Sequence, residues 1–247
     1  MNSRLISPFL LAVAASCLTG TVTLAASAEK TEVIDPIYSE LAGLIVTDST
    51  LGAEVDKIAS SLIENMNATD PDFADMESRY PGLGAAVAAS MKPLLLEGAT
   101  RTLPLYRADL AQFYARRLTA AEARIFVDFM ARPSTRLFYE EVRRQNSYKA
   151  ITGDLVKDRD ASTASMSKDL KNAAPKAVAA LNPAQQLELQ AFFTSPLGKK
   201  LQSLNPEKTK IDAKWFNYSA PDLEDRMEKV VIDGMIAHIE KTDQRQR

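Results

Sequence analysis

The sequence predicts an all-α fold, a multi-helix bundle that contains two related helix–turn–helix repeats. Good helix formers dominate the 247 residues, whereas Gly (9) and Pro (12) are few. Apolar residues recur at spacings of three and four along most of the chain, which is the period of an amphipathic helix. No alternating run of β-branched residues is long enough to predict a strand with the same weight. A helix–turn–helix pattern also occurs twice, and this repeat is the most informative feature of the chain.

Residues 1–28 have the order of a secretory signal peptide. Arg4 is the positive start, residues 5–18 are apolar, and Ala26-Ser27-Ala28 offers small side chains at the two positions that a signal peptidase recognises. The apolar stretch is too short for a stable membrane span. We therefore expect cleavage after Ala28 and a periplasmic mature protein, with an uncleaved N-terminal anchor as the alternative.

The mature chain, residues 29–247, is expected to form a single helical domain. Its length suffices to bury a core, and no long Gly/Ser-rich or Pro-rich linker divides it. No later segment is long enough to span a membrane. The only cysteine, Cys17, lies in the predicted signal peptide. Because Ala14-Ala15-Ser16-Cys17 weakly resembles a lipoprotein processing site, a lipid-modified Cys17 is a minor alternative.

Helical periodicity covers most of the mature chain. Helices are predicted over residues 34–46, 51–66 and 85–118 and from 221 onwards, with one or two more over residues 149–181. Residues 67–72 and 80–84 are expected turns, and Pro93 and Pro104 are expected to bend or interrupt the third of these helices.

Two stretches near the C-terminus are less regular. Residues 211–218 are the one place where a strand stays an alternative to helix. Residue 221 is a proline that is expected to open the last helix. The polar tail, residues 241–247, is expected to fray.

The repeat has copies near residues 106–146 and 175–206, offset by 63 positions. Thr119 and Asn182 stand at helix starts, where their side-chain oxygens can accept hydrogen bonds from free backbone N–H groups. Three positions later come Glu122 and Gln185. This spacing predicts a capping box in both copies, because an acid or amide there can bond back to the N-cap backbone.

Each copy ends its first helix with large apolar side chains and a proline. Phe129-Met130 precedes Pro133, and Phe192-Phe193 precedes Pro196. A proline disfavours the helical conformation of the residue before it and suits the first turn of a new helix. Both copies therefore predict a helix, a tight corner and a second helix. We expect the aromatic side chains to be core residues that fill the angle between the two helices of their own copy.

The phrase Leu-(Thr/Asn)-x-x-(Glu/Gln), followed by Phe-(Phe/Met)-x-x-Pro and a basic residue, resembles the bacterial exported domain-of-unknown-function family 2059. The resemblance covers about residues 106–204, and residues 192–200 of the second copy are the closer match. The first copy has Thr135 where the second has Gly198, so its corner is expected to be built differently. The resemblance implies a helical periplasmic protein and transfers no catalytic or binding residues.

Charge and motif content exclude several classes of function. With a net charge of −2 and a pI of about 5.6, the chain lacks the basic excess of a nucleic-acid-binding protein. His238 is the only histidine, so we expect no metal site. Ser165-Met166-Ser167-Lys168 matches the Ser-x-x-Lys motif of penicillin-recognising enzymes, but the companion motifs are missing. We predict no catalytic, cofactor-binding or metal-ligating residue and no cofactor.

Charged residues are concentrated between positions 132 and 144. This stretch contains an adjacent acidic pair and four arginines: Glu140, Glu141, Arg132, Arg136, Arg143 and Arg144. The arginines could contact phosphate head groups or an acidic partner, although their mixture with acids fits a salt-bridged surface better. We therefore favour a non-enzymatic binding or interaction module of the cell envelope, whose partner is an envelope protein or an apolar ligand. The alternative is an envelope hydrolase that uses carboxylates not identifiable from sequence.

Overall fold

The computed structural model describes residues 34–157, 159–218 and 220–246, and all regular structure in these residues is helical. The predicted all-α, multi-helix bundle is confirmed. The predicted signal peptide, with Cys17, lies outside the described residues. None of the helices in this part of the chain combines the length and the apolar composition needed to cross a membrane.

The helices are numbered in chain order, and a 3₁₀ turn, Asp48–Thr50, lies between the first two. They are α1 Pro36–Ile45, α2 Leu51–Thr69, α3 Pro71–Arg79, α4 Leu83–Arg117, α5 Ala120–Met130, α6 Pro133–Gln145, α7 Lys149–Leu155, α8 Thr163–Ala179, α9 Pro183–Thr194, α10 Pro196–Phe216 and α11 Pro221–Gln246. Helix α4 is central to the arrangement, because it packs against α1, α2, α10 and α11.

Helix α4 is one continuous helix of 35 residues that runs through Pro93 and Pro104. Of the two effects predicted for these prolines, a bend or an interruption, the interruption does not occur. Each proline removes one backbone hydrogen bond, at a cost of about 3 kcal/mol. Both ends of the helix offset this cost by burial, with Leu83 and Val87 fully buried at one end and Leu110 at the other.

Three other boundaries differ from those predicted. Helix α2 extends to Thr69, so the turn after it narrows to Asp70, which caps α3. Residues 211–218, for which a strand was the alternative to a helix, belong to α10 as far as Phe216. The tail expected to fray is helical to position 246. Residues 241–246 contain neither Gly nor Pro, so nothing in the local sequence ends the helix earlier.

Both predicted capping boxes are present. The backbone N–H of Glu122 donates to Thr119 Oγ1 over 3.2 Å, and the Thr119 N–H donates to Glu122 Oε2 over 2.8 Å. In the second copy the Gln185 N–H donates to Asn182 Oδ1 over 2.9 Å, and the Asn182 N–H donates to Gln185 Oε1 over 3.0 Å. These bonds satisfy backbone donors that a helix start leaves free.

The buried apolar side chains form two large clusters that share α4. The first core takes buried residues from α1, the C-terminal part of α4, α5, α6, α8 and α9. The second core takes them from α2, α3, the N-terminal part of α4, α7 and α11. The last helix contributes one apolar face to this second core, where Leu223, Met227, Val231 and Met235 are buried.

The corner aromatics pack against each other across the two helix pairs. Phe129 is fully buried, and its ring stacks on that of Phe192 with centroids 3.6 Å apart and planes 5° from parallel. Phe193 meets the Phe129 ring edge-on at 5.8 Å. The predicted core position of both stacked phenylalanines is confirmed. Their main ring contact joins α5 to α9, whereas we had expected each to fill the corner of its own copy.

The two corners are built differently, as the sequence predicted. Ala131 and Arg132 separate α5 from α6, whereas Ser195 alone separates α9 from α10. Gly198 is buried at the tighter corner, where an added Cβ would lie 2.1 Å from the Phe192 carbonyl oxygen. The wider corner accommodates the side chain of Thr135 at the matching position.

Thr135→Val is expected to raise the free energy of unfolding by about 1 kcal/mol. Thr135 is fully buried and its hydroxyl has no hydrogen-bond partner among the described residues. Valine has the same shape without the unsatisfied hydroxyl, which costs roughly 1–3 kcal/mol when buried. Urea denaturation measures the change.

Thr152→Val is the control. This residue is equally buried, but its hydroxyl bonds to Ser61 and to the Tyr148 carbonyl, so the same change should destabilise the protein. Equal effects of the two substitutions would contradict the prediction.

Candidate functional site

A cleft of about 230 Å³ lies between the first turns of α2 and the last turns of α6. Its lining residues come from the two helices and the 3₁₀ turn before α2: Thr50, Ala53, Glu54, Lys57, Glu140, Arg143 and Arg144. The spacings follow the helical period, so one face of each helix is turned to the cleft. Its volume is below the usual range of ligand pockets in proteins, so it has room only for a single side chain or a small molecule.

The cationic groups of the cleft are engaged by neighbours. Lys57 Nζ donates to the backbone carbonyls of Arg143 and Arg144 over 2.6 and 2.7 Å, at the C-terminal end of α6. Its charge also complements the negative end of that helix dipole. Arg143 lies 3.4 Å from a Glu54 carboxylate oxygen, and Arg144 lies 2.6 Å from Glu141.

Because the head groups are held in these contacts, the aliphatic stems are left to form the walls. The surface inside the cleft is almost entirely carbon. Long charged side chains commonly cover apolar surface in this way while their charge stays near water. The result is a small apolar recess with a charged rim.

Glu54 and Lys57 have shifted pKa values in this setting. Burial raises the pKa of Glu54 above its usual value, against the opposing effects of Arg143, a hydrogen bond with Thr50, and Lys57. Burial lowers the pKa of Lys57, against the opposing effect of Glu54. In both cases removal from water disfavours the charged form. A carboxyl and an amine shifted in a cleft are a combination that occurs at functional sites and in structural ion pairs alike.

Glu140 is the second carboxylate of the cleft. It is exposed and makes no hydrogen bond or ion pair with any other described residue. Its neighbour Glu141 turns away to Arg144 and lowers its own pKa through that hydrogen bond. The adjacent acids predicted from sequence therefore separate, and only Glu140 faces the same space as Glu54.

The other charged residues noted in the sequence lie elsewhere. Arg132 pairs with Glu188 over 3.0 Å and joins the first corner to α9. Arg136 is exposed and has no ion-pair partner in the described part of the chain. Lys200 reaches from α10 to the capping-box residue Glu122 over 2.8 Å. Most of the arginine cluster is thus salt-bridged surface, and its two C-terminal members line the cleft.

The Ser-x-x-Lys motif and the histidine have structural partners. Ser165 donates to Asp154 and, as the third residue of α8, its N–H bonds to the N-cap Ser162 over 3.1 Å. Burial would raise the pKa of Asp154, but the hydrogen bonds from the two serines outweigh it and the pKa is lowered. His238 Nε2 lies 3.2 Å from the Pro81 carbonyl oxygen and ties α11 to the turn before α4. Within the described ranges no three His, Cys, Asp or Glu side chains are grouped so that they could hold a metal ion.

Of the charged residues in the cleft, Glu140, Arg143 and Arg144 stand out in the sequence, whereas Glu54 and Lys57 do not. These two occupy the polar side of a helix whose apolar stripe was correctly identified, so periodicity marks them only as surface. Their partners lie 86 and more positions away in sequence, on α6. No local pattern could have joined the two segments.

Comparison of the chain with protein-family models, with curated proteins and with solved structures finds no match.

Proposed function

We propose that the protein is an exported, periplasmic and non-enzymatic helical module of the cell envelope, and that the cleft between α2 and α6 holds an apolar group of its ligand or partner protein. The observation that carries this proposal is the carbon-lined recess whose cationic side chains are already engaged by neighbouring groups. A recess of this kind favours burial of a side chain or a small apolar molecule, which gains about 25 cal/mol for each Å² removed from water. Polar groups at the rim would orient what binds.

Export is proposed from the sequence of residues 1–28. We expect mass spectrometry of the protein recovered from a periplasmic extract to show a chain that starts at Glu29. Small side chains at Ala26 and Ala28 and the apolar stretch before them are the physical basis for this cleavage. A mature protein that retains Met1, or one that begins with a lipid-modified Cys17, would contradict the prediction.

Ala53→Phe tests the cleft directly. Ala53 is exposed on the cleft wall, so a phenyl group there should fill the recess without disturbing either core. We expect the apolar fluorophore N-phenyl-1-naphthylamine to bind the unmodified protein saturably and to bind the variant at least about tenfold more weakly, a loss of about 1.4 kcal/mol.

The matched control is Ala89→Phe, which adds the same ring at an exposed position of α4 away from the cleft. It should leave fluorophore binding unchanged. Equal loss in both variants, or no saturable binding to the unmodified protein, would remove the support for a ligand site in this cleft. Circular dichroism checks that both variants are folded.

A carboxylate-dependent hydrolase is the second candidate, because Glu54 and Glu140 line one cleft. The raised pKa of Glu54 suits a proton donor, whereas exposed Glu140 suits an ionised partner. Glycoside hydrolysis uses such a division of roles between two carboxyl groups. The reaction would then be acid-assisted cleavage of a glycosidic bond.

Glu54→Gln and Glu140→Gln separate the two candidates. If the protein is a hydrolase, it should release reducing sugars from purified cell-wall glycan, and either substitution should abolish the release. If it is a binding module, no release occurs, and both variants keep the fluorophore affinity of the unmodified protein. If only Glu140→Gln loses fluorophore binding, the Glu140 carboxylate is the group that contacts the ligand.

A further inference from the structure

Helix α8 exposes three lysines that have no carboxylate partner. Lys168, Lys171 and Lys176 are exposed, and none forms an ion pair with another described residue. This contrasts with the described arginines and lysines elsewhere, most of which take part in ion pairs, such as Arg117 with Glu207. No ion pair within the described part of the chain therefore neutralises the basic face of α8.

The acidic groups of the segment do not neutralise these lysines. Asp169 is the only acid of α8, and it is 2% exposed because it accepts hydrogen bonds from the Ala150 and Ile151 N–H groups at the start of α7. Asp160 lies just before the helix and is exposed. The exposed charged residues of positions 160–179 are therefore three lysines and one carboxylate, with a net charge of +2. The protein as a whole has a net charge of −2, so this face is distinctive.

Apolar side chains lie beside the lysines on the same helix. Leu170 is 51% exposed and Val178 is 40% exposed. They are eight positions apart with half-buried Ala174 between them, so the three form a stripe along one edge of the exposed face. Buried Ala173 and Ala177 anchor the opposite face in the first core. The exposed side of α8 thus consists of a cationic part and, beside it, an apolar edge.

We propose that this face of α8 docks the protein on a membrane surface rich in anionic phospholipid. At 100° per residue, the three lysines span about 140° around the helix axis. Mobile lipid head groups can meet charges spread this widely, and long lysine stems allow each ammonium to reach them. A rigid acidic protein would need carboxylates at three matching directions. Leu170 and Val178 would enter the boundary between head groups and acyl chains. This proposal does not depend on the cleft or its ligand.

The test is sedimentation of the purified protein with vesicles of equimolar phosphatidylglycerol and phosphatidylcholine. Binding should be absent with pure phosphatidylcholine and should fall when salt is raised from about 0.05 to 0.5 M, because the ions screen surface charges. The triple variant K168E/K171E/K176E should bind at least about 100-fold more weakly, since each lysine near an anionic surface contributes about a fivefold change. L170S/V178S should weaken binding without removing its salt dependence.

The matched control is K210E/K241E, which reverses two exposed lysines on other helices that also lack ion-pair partners. It should bind the vesicles like the unmodified protein, and thermal melts establish that every variant is folded. Failure to bind the anionic vesicles overturns the proposal, as does equal binding by the triple variant. Salt-sensitive binding to poly-glutamate but not to vesicles also overturns it, in favour of an acidic protein partner.

Discussion

Gly198→Ala is expected to lower the free energy of unfolding by about 3 kcal/mol, the upper end of the usual cost of overpacking a core. The added methyl carbon would lie 2.1 Å from the Phe192 carbonyl oxygen and 2.7 Å from the Phe193 Cα. Both are backbone atoms, so no side-chain rotation relieves the clash. The corner between α9 and α10 must open, and Phe192 would lose its stacked position. Chemical denaturation followed by circular dichroism measures the change.

Gly43→Ala is the control within the same protein. This glycine lies inside α1, and no atom is within 4 Å of an added Cβ. Alanine there should stabilise by about 0.5–1 kcal/mol, because it is the better helix former. If Gly198→Ala melts like the unmodified protein, the corner between α9 and α10 has room for a methyl group. The need for glycine would then not explain why this corner differs from the one between α5 and α6.

Phe129→Ala should cost about 3–5 kcal/mol, as is usual for a buried phenylalanine. Phe129 contacts both Phe192 and Phe193, so its removal leaves a cavity at the junction of α5 and α9. Thermal and urea denaturation of the variant measure the loss. Ile125→Ala on the same helix, at a residue that is 54% exposed, should change stability by no more than about 0.5 kcal/mol.

A double-mutant cycle with Phe192→Ala isolates the ring contact itself. We expect a coupling energy of roughly 0.5–1.5 kcal/mol between the two phenylalanines, beyond the area that each buries. Strictly additive losses would mean that the two rings contribute independently and that their contact adds nothing beyond the area that each buries.

Local signals were sufficient for most of the secondary structure. The capping boxes at Thr119 and Asn182 form as predicted, because each depends on atoms within three residues of one another. The continuity of α4 through its two prolines could not be predicted in this way, because it does not depend on neighbouring residues alone. Whether a helix survives an internal proline depends on burial at both ends, and this is a property of the tertiary packing.

The candidate site could not be predicted in the same way. Arginines 143 and 144 were noted as a charge cluster, but their role as walls depends on Lys57 binding the end of α6. Similarly, the sequence marked Phe129 and Phe192 as core residues without showing that they touch. Contacts between segments this far apart follow from how the helices pack, for which a single sequence contains no direct signal.

The middle of α4 is expected to open more readily than its two ends. Between the two cores, residues 95–109 bury only Leu103, and Pro104 leaves one backbone carbonyl without its helical donor. The helix is about 52 Å long, and its central part buries fewer apolar side chains than either end does. Amide hydrogens near Val87 and Leu110 should therefore exchange slowly, and those at the centre much faster. The two cores can then fluctuate as separate cooperative units while remaining on one continuous helix.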